Sequence, residues 1–194
     1  QIRTETWADW SATYQLGIQV TGKRLGILGM GRVGQIMARR ARGFDMQIHY
    51  YKRHRLSPEV EQGAVYHDSV EALLPHCDVL SIHCPATPET HHLVNAQRIA
   101  MLPDDAIVVN TARGAVVDDD ALVEALRSGK LFAAGLDVFN NEPHIDPRYK
   151  ELENAFLLPH VGSATRETRD AMGFRALDNL DAIVSGGEPR DRLA

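Results

Sequence analysis

The sequence predicts an α/β protein built on a doubly wound parallel sheet, and two observations carry that prediction. Short apolar runs alternate with segments of helical periodicity from Lys23 onward. That is the pattern of βαβ units whose sheet is covered on both faces. One strand-to-helix junction carries the run Gly29-Met30-Gly31-Arg32-Val33-Gly34. In a sheet of this kind, such a turn is where a dinucleotide binds.

The elements follow in order. Over residues 1–22, Trp7, Trp10, Tyr14, Leu16 and Ile18 are apolar but share no period. They read as a helix end and an extended lead-in, with Thr21-Gly22-Lys23 turning into the first strand. Two tryptophans here suggest packing against another domain, another subunit or the chain's own surface. Strands are expected over Leu25–Leu28, Gln47–Tyr51, Val79–His83, Ala106–Asn110, Ala133–Val138 and Phe156–Leu158. Helices are expected over 33–43, 69–75, 95–101, 119–128 and 165–185. Asp118, Asp119 and Asp120 place negative charge at one helix start, and Gly129 follows its last turn. The last helix lines up Ala176, Leu177, Leu180, Ile183 and Val184, then stops at Gly186-Gly187. The sheet-forming unit therefore runs over 23–189, with a tail over 190–194.

Each residue type in the glycine run has a use. Val33, Ile36, Met37, Ala41 and Phe44 recur on one helix face, with Arg39, Arg40 and Arg42 opposite. Gly29 makes the tight turn, Gly31 lets the backbone approach a pyrophosphate, and Gly34 lets helix and strand pack closely. The free N–H groups at Arg32 and Val33, with the helix dipole, attract the anion. A ligand-free glycine-rich turn is the alternative, and the flanking pattern speaks against it. An NAD site usually carries an Asp or Glu about 20 residues further on, at the end of the second strand. Here that strand runs into Lys52-Arg53-His54-Arg55 with no carboxylate. Lys52, Arg53 and Arg55 suit a 2′-phosphate, so NADP(H) is expected, with NAD(H) the second choice. The alternative for this cluster is a solvated basic loop.

Four segments leave strands with polar residues where a doubly wound sheet binds ligands: His83-Cys84-Pro85, Asn110 to Gly114, Asp137 to Pro143, and Pro159 to Gly162. Each of Arg113, Glu142 and His160 alone is an ordinary loop residue. Together they fit the reduction of a keto acid by hydride transfer. His160 can donate a proton to the developing oxygen anion, Glu142 can hold its ring, and Arg113 can grip a substrate carboxylate. His91 and His92 are adjacent, which suits joint metal ligation poorly. His49, His54, His67, His76 and His144 read as structural or solvated, and no metal is expected.

Composition narrows the classes. A formal net charge of −5 gives no support to nucleic-acid or membrane-surface binding. No apolar run approaches the ~18 residues of a membrane span, and no signal peptide is visible. Cys77 and Cys84 are the two cysteines and lack CxxC spacing, so they read as free thiols of a reducing, cytoplasmic compartment. The chain opens on Gln1 rather than Met, and further sequence is expected before it.

The motifs also carry a resemblance. The glycine run, Ile82 to Thr90, Val109 to Gly114, Gly135 to Phe139 and Leu158 to Gly162 resemble, in order and spacing, the D-isomer-specific 2-hydroxyacid dehydrogenase family. The likeness spans about Gly22 to Pro189. With Lys52 to Arg55 it is closest to the NADP-preferring glyoxylate and hydroxypyruvate reductases. The resemblance implies a Rossmann-type cofactor domain, with Arg113 anchoring substrate, His160 as acid/base and Glu142 as its partner. It implies Cys84 and Pro85 against the cofactor and Thr90 near its phosphates. Thr111, Ala112 and Asp137 would orient the nicotinamide, and Gly162 would border it. Formate dehydrogenases of the family carry Gln where Glu142 stands. The second, substrate domain of the family is largely missing here, and with it one wall of the cleft. A homodimer through the cofactor domain is implied, with Trp7 and Trp10 near the contact. Two alternatives stay open: another substrate of the family, such as phosphoglycerate or a bulkier 2-keto acid, and a dinucleotide-sensing interaction module.

Overall fold

The structure is a computed structural model that describes residues 2–7, 10–14 and 16–192. Seven strands form one sheet: β1 (Arg24–Leu28), β2 (Gln47–Tyr51), β3 (Val65–His67), β4 (Val79–Ile82), β5 (Ala106–Asn110), β6 (Leu131–Leu136) and β7 (Ala155–Leu157). Their order is β3-β2-β1-β4-β5-β6-β7, and every pair is parallel. The order reverses between β1 and β4, both of which start from the centre of the sheet. All carboxyl ends lie along one edge, so the loops that leave them are neighbours.

Five α-helices lie between the strands, α1 (Arg32–Arg42), α2 (Pro58–Glu61), α3 (Val70–Leu73), α4 (Ala96–Ala100) and α5 (Asp119–Arg127), and α6 (Arg166–Val184) follows β7. Side-chain alternation in the strands feeds two cores. Leu25, Ile27, Ala38, Ala41, Ile48 and Tyr50 form one beneath α1. Leu73, Leu80, Ile82, Val108, Leu122 and Leu136 belong to the larger one on the other face. Asp118 starts α5 as expected, and its carboxylate accepts from the Asp120 and Ala121 N–H groups.

The expected sheet is present, with differences that have local causes. β3 and α2 were not anticipated. β3 has only three residues at the sheet edge, too few to show a period, and α2 is a single turn announced only by Ser57-Pro58. β6 begins at Leu131 and ends at Leu136, two residues before the expected Val138, because Asp137 turns away to another task described below. β7 sits one residue earlier than expected. The lead-in contains a 3₁₀ turn at Ile2–Thr4, and Trp7 and Trp10 are exposed. α6 forms where expected, but Leu177, Leu180, Ile183 and Val184 on its stripe are all exposed.

The histidines read as structural or solvated include a cluster. The rings of His49 (β2), His67 (β3) and His76 stack pairwise, with centroids 5.0–5.3 Å apart. His49 Nδ1 lies 3.0 Å from His67 Nε2. Burial, followed by the charges of His67 and His76, pushes His49 down to about 4. The unfolded chain therefore takes up this proton before the folded one does. The stability this neutral ring contributes is complete above pH 6.5 and is lost as pH falls toward 4. Thermal melts across that window are expected to fall more steeply for the native sequence than for His49→Gln. Parallel curves would show that His49 does not govern the acid limb.

Candidate active site

The turn between β1 and α1 is built around close approach. Gly29 has φ +101, and a side chain there would lie 2.7 Å from the Cys84 backbone nitrogen. Gly34 packs closely on Gly29 and Ile27, where a Cβ would collide with the Gly29 carbonyl oxygen. Gly31 differs: a side chain there would meet nothing within 4 Å. No side chain caps α1, so the N–H groups of its first turn, from Arg32 and Val33 onward, have no side-chain acceptor. That donor set fits a pyrophosphate.

The basic loop after β2 divides in two. Arg55 turns back onto Glu61, with Nε 2.8 Å from Oε1 and Nη2 3.1 Å from Oε2. Tyr50 Oη also donates to Glu61 Oε1 at 2.6 Å and accepts from the Leu56 N–H. The hydrogen bond from Arg55 holds the Glu61 carboxyl below the usual range. Sequence reading missed this carboxylate, because it returns to the β2 edge only through α2. Lys52 and Arg53 make no side-chain hydrogen bond or ion pair among the described residues.

The loop after β4 carries His83, Cys84 and Pro85. His83 Nε2 lies 2.8 Å from Ser81 Oγ, and its N–H donates to the Leu28 carbonyl. Cys84 is half-buried, and burial pushes its thiol up to about 11, which leaves it a poor nucleophile. Thr90 is turned into its own loop, where its hydroxyl donates to the Pro85 carbonyl and accepts from the Thr87 N–H.

Beyond β5, β6 and β7, three loops converge. His160 Nδ1 lies 2.7 Å from Glu142 Oε2, and Glu142 Oε1 accepts from the Phe139 N–H at 2.8 Å. Desolvation works to raise the Glu142 carboxyl. The bonds from His160 and Phe139 and the charges of His160 and Arg113 win, and hold it below the usual range. The His160 side chain is about half exposed, and among the described residues Nε2 makes no hydrogen bond. Arg113 leans on its own loop, with Nη1 donating to the Ala112 carbonyl at 2.6 Å.

His160 adopts a left-handed backbone at φ +54, which costs a non-glycine residue about 1 kcal/mol. Asp137 holds it there. Its Oδ1 accepts from the Val161 N–H at 2.7 Å and its Oδ2 from the Gly162 N–H at 2.8 Å, in a buried carboxylate. A pocket of about 390 Å³ opens beside the pair, with Phe139, Pro143, Ile145, Leu157 and Pro159 among its walls. Among the described residues no three His, Cys, Asp or Glu side chains are arranged to hold a metal ion. None of the described helices is long and apolar enough to cross a membrane.

An anion-ready helix start at the point of strand-order reversal, beside an Arg, Glu and His group, defines a Rossmann-type dinucleotide-binding domain. Residues 1–162 match the family described as D-isomer specific 2-hydroxyacid dehydrogenase, NAD binding domain, and the chain belongs to that family. It is 44% identical to a glycerate dehydrogenase of Hyphomicrobium methylovorum, a match covering 100% of this chain and 61% of that protein. A solved structure from Polaromonas sp. JS6 66, described as a D-isomer specific, NAD-binding 2-hydroxyacid dehydrogenase, superposes with a TM-score of 0.96 at 50% identity. It covers 100% of this chain and 60% of that one. An NADPH-dependent glyoxylate/hydroxypyruvate reductase from Sinorhizobium meliloti, solved with NADP and malonate, gives 0.85 at 38% identity, covering 89% and 53%. The chain thus spans little more than half the length of such relatives.

Removing Asp137 tests the build of this site. Asp137→Ala strands two N–H donors and is expected to lower unfolding stability by about 3 kcal/mol. The readout is a urea midpoint shift at constant slope. A loss below about 0.5 kcal/mol would show that the turn does not depend on this carboxylate.

Proposed function

We propose that the chain is the cofactor-binding part of an oxidoreductase that reduces a small 2-keto acid, of the glyoxylate or hydroxypyruvate type, with NADP(H). The hydrogen bond between His160 Nδ1 and Glu142 carries this reading. It favours the tautomer with a proton on Nδ1 and leaves Nε2 free to carry the proton that is transferred.

Arg113, Glu142 and His160 divide the work. Arg113 would hold the substrate carboxylate through its planar fork. His160 would donate its Nε2 proton to that oxygen as negative charge builds there. Glu142 would stabilise the imidazolium before the transfer and accept the Nδ1–H bond after it. A bound reduced nicotinamide nucleotide supplies the hydride that goes to the keto carbon. The uncapped start of α1 and the open space at Gly31 fit its pyrophosphate. Cys84, Pro85, Thr111, Ala112 and Gly162 are proposed as its other neighbours. His160→Gln in the full-length protein is expected to lower turnover about 10²- to 10⁴-fold while leaving nucleotide affinity intact. Turnover within about threefold of the unsubstituted protein would contradict the role given to His160.

The choice of NADP(H) over NAD(H) rests on the loop after β2. Glu61, which returns to this edge through α2, is already paired with Arg55, and among the described residues Lys52 and Arg53 make no side-chain hydrogen bond or ion pair, the Arg53 charge acting only at longer range on exposed Glu89. This favours a 2′-phosphate. A reductase that uses NADPH stands among the similar structures. A fluorescence titration of the 194-residue chain is expected to show NADPH binding about tenfold tighter than NADH, a preference erased by Lys52→Gln with Arg53→Gln. Tighter NADH binding would contradict it.

The chain alone is expected to bind nucleotide and turn over glyoxylate poorly, since relatives are much longer. The free thiols Cys77 and Cys84 support a reducing, cytoplasmic setting. The exposed Trp7 and Trp10 support pairing into a homodimer.

A further inference from the structure

Asn110 ends β5 and is the most deeply buried of the buried polar residues, with 1% of its surface exposed. None of the chemistry above uses it. Both ends of its amide are committed to the loop that carries Arg113. Asn110 Oδ1 accepts from the Ala112 N–H at 3.0 Å, and Nδ2 donates to the Arg113 carbonyl at 2.9 Å. The Arg113 guanidinium in turn donates to the Ala112 carbonyl. One buried side chain therefore grips the main chain on either side of the peptide on which the guanidinium rests.

The loop is braced from a second direction. The Asn110 main-chain carbonyl accepts from the Asp137 N–H at 3.0 Å, so β5 and β6 stay joined beyond the last ladder pair. Gly114 lies flat on the Phe139–Asn140 backbone, where a Cβ would have no room. Arg113 is thus fixed relative to the loop that holds Glu142. An arginine side chain has many rotamers, so a fixed anchor decides where its fork is presented. The grip needs one acceptor and one donor on a short side chain. Asn supplies both, whereas Asp lacks the donor and Ala lacks either.

We propose that Asn110 is a positioning residue for Arg113, fixing where the guanidinium meets the substrate's carboxylate. The proposal rests on the reading of Arg113 given above. Its signature is a rise in KM for the keto acid, since the interaction is made with bound substrate and transition state alike.

The test is steady-state reduction of glyoxylate by the full-length protein, with NADPH and NADH each at saturation. Asn110→Ala, Asn110→Asp, Arg113→Gln and the double variant Asn110→Asp/Arg113→Gln are compared. Each Asn110 variant is expected to raise KM about tenfold or more, with kcat within about threefold and nucleotide Kd within about twofold. In the double variant KM should match that of Arg113→Gln alone, because Asn110 acts only through Arg113. Asn110→Asp keeps the shape and the acceptor, so it carries the test if Asn110→Ala does not fold. An unchanged KM, a parallel loss of nucleotide affinity, or effects that multiply in the double variant would overturn the proposal. An unsubstituted protein that reduces no 2-keto acid would overturn the functional reading and this proposal with it.

Discussion

Two hydrogen bonds from one buried carboxylate hold the site in shape. Asp137 leaves β6 and captures the Val161 and Gly162 N–H groups of the next loop. Without that capture His160 would relax from its left-handed backbone, and its ring would leave Glu142. The carboxylate offsets the strain, because bonds to a charged acceptor are about twice as strong as neutral ones. Glu142 adds a second tie between the same two loops through Phe139 and His160. The loop after β6 thus holds both the backbone and the side chain of the proposed acid.

The fold makes this economical. Parallel strands deliver the loops after β4, β5, β6 and β7 to one edge, and the reversal of order beside β1 leaves a crevice at the start of α1. Charge is distributed to match. The helix start has N–H groups and no acidic residue in its first turn. Glu61, a carboxylate beside the loop after β2, is paired with Arg55. The carboxylate at the proposed chemistry, Glu142, is held ionised by its partners.

Much of this was legible in the residues. The βαβ alternation gave β1, β2, β4 and β5 nearly residue for residue, because central parallel strands are continuous apolar runs. Arg113, Glu142 and His160 were legible as chemistry, and the structure brings Glu142 and His160 into contact. Less visible were interactions made by long-range return. Glu61 reaches Arg55 and Tyr50 only through a one-turn helix, and Asn110 looks like any strand-end residue until its amide is seen on the next loop. The hydroxyl of Thr90, expected near the cofactor's phosphates, also closes its own turn, which no local pattern announced. The stripe on α6 was legible as apolar, but periodicity cannot say what, if anything, covers it.

The central claim is that a nicotinamide nucleotide lies across this edge with its reactive ring against His160. NMR on the nucleotide-saturated chain measures that directly, through intermolecular NOEs from the nicotinamide H4 proton. The account predicts cross-peaks to the His160 ring protons. Cross-peaks from H4 only to residues at the opposite ends of the strands, such as Arg24 or Met46, would contradict it.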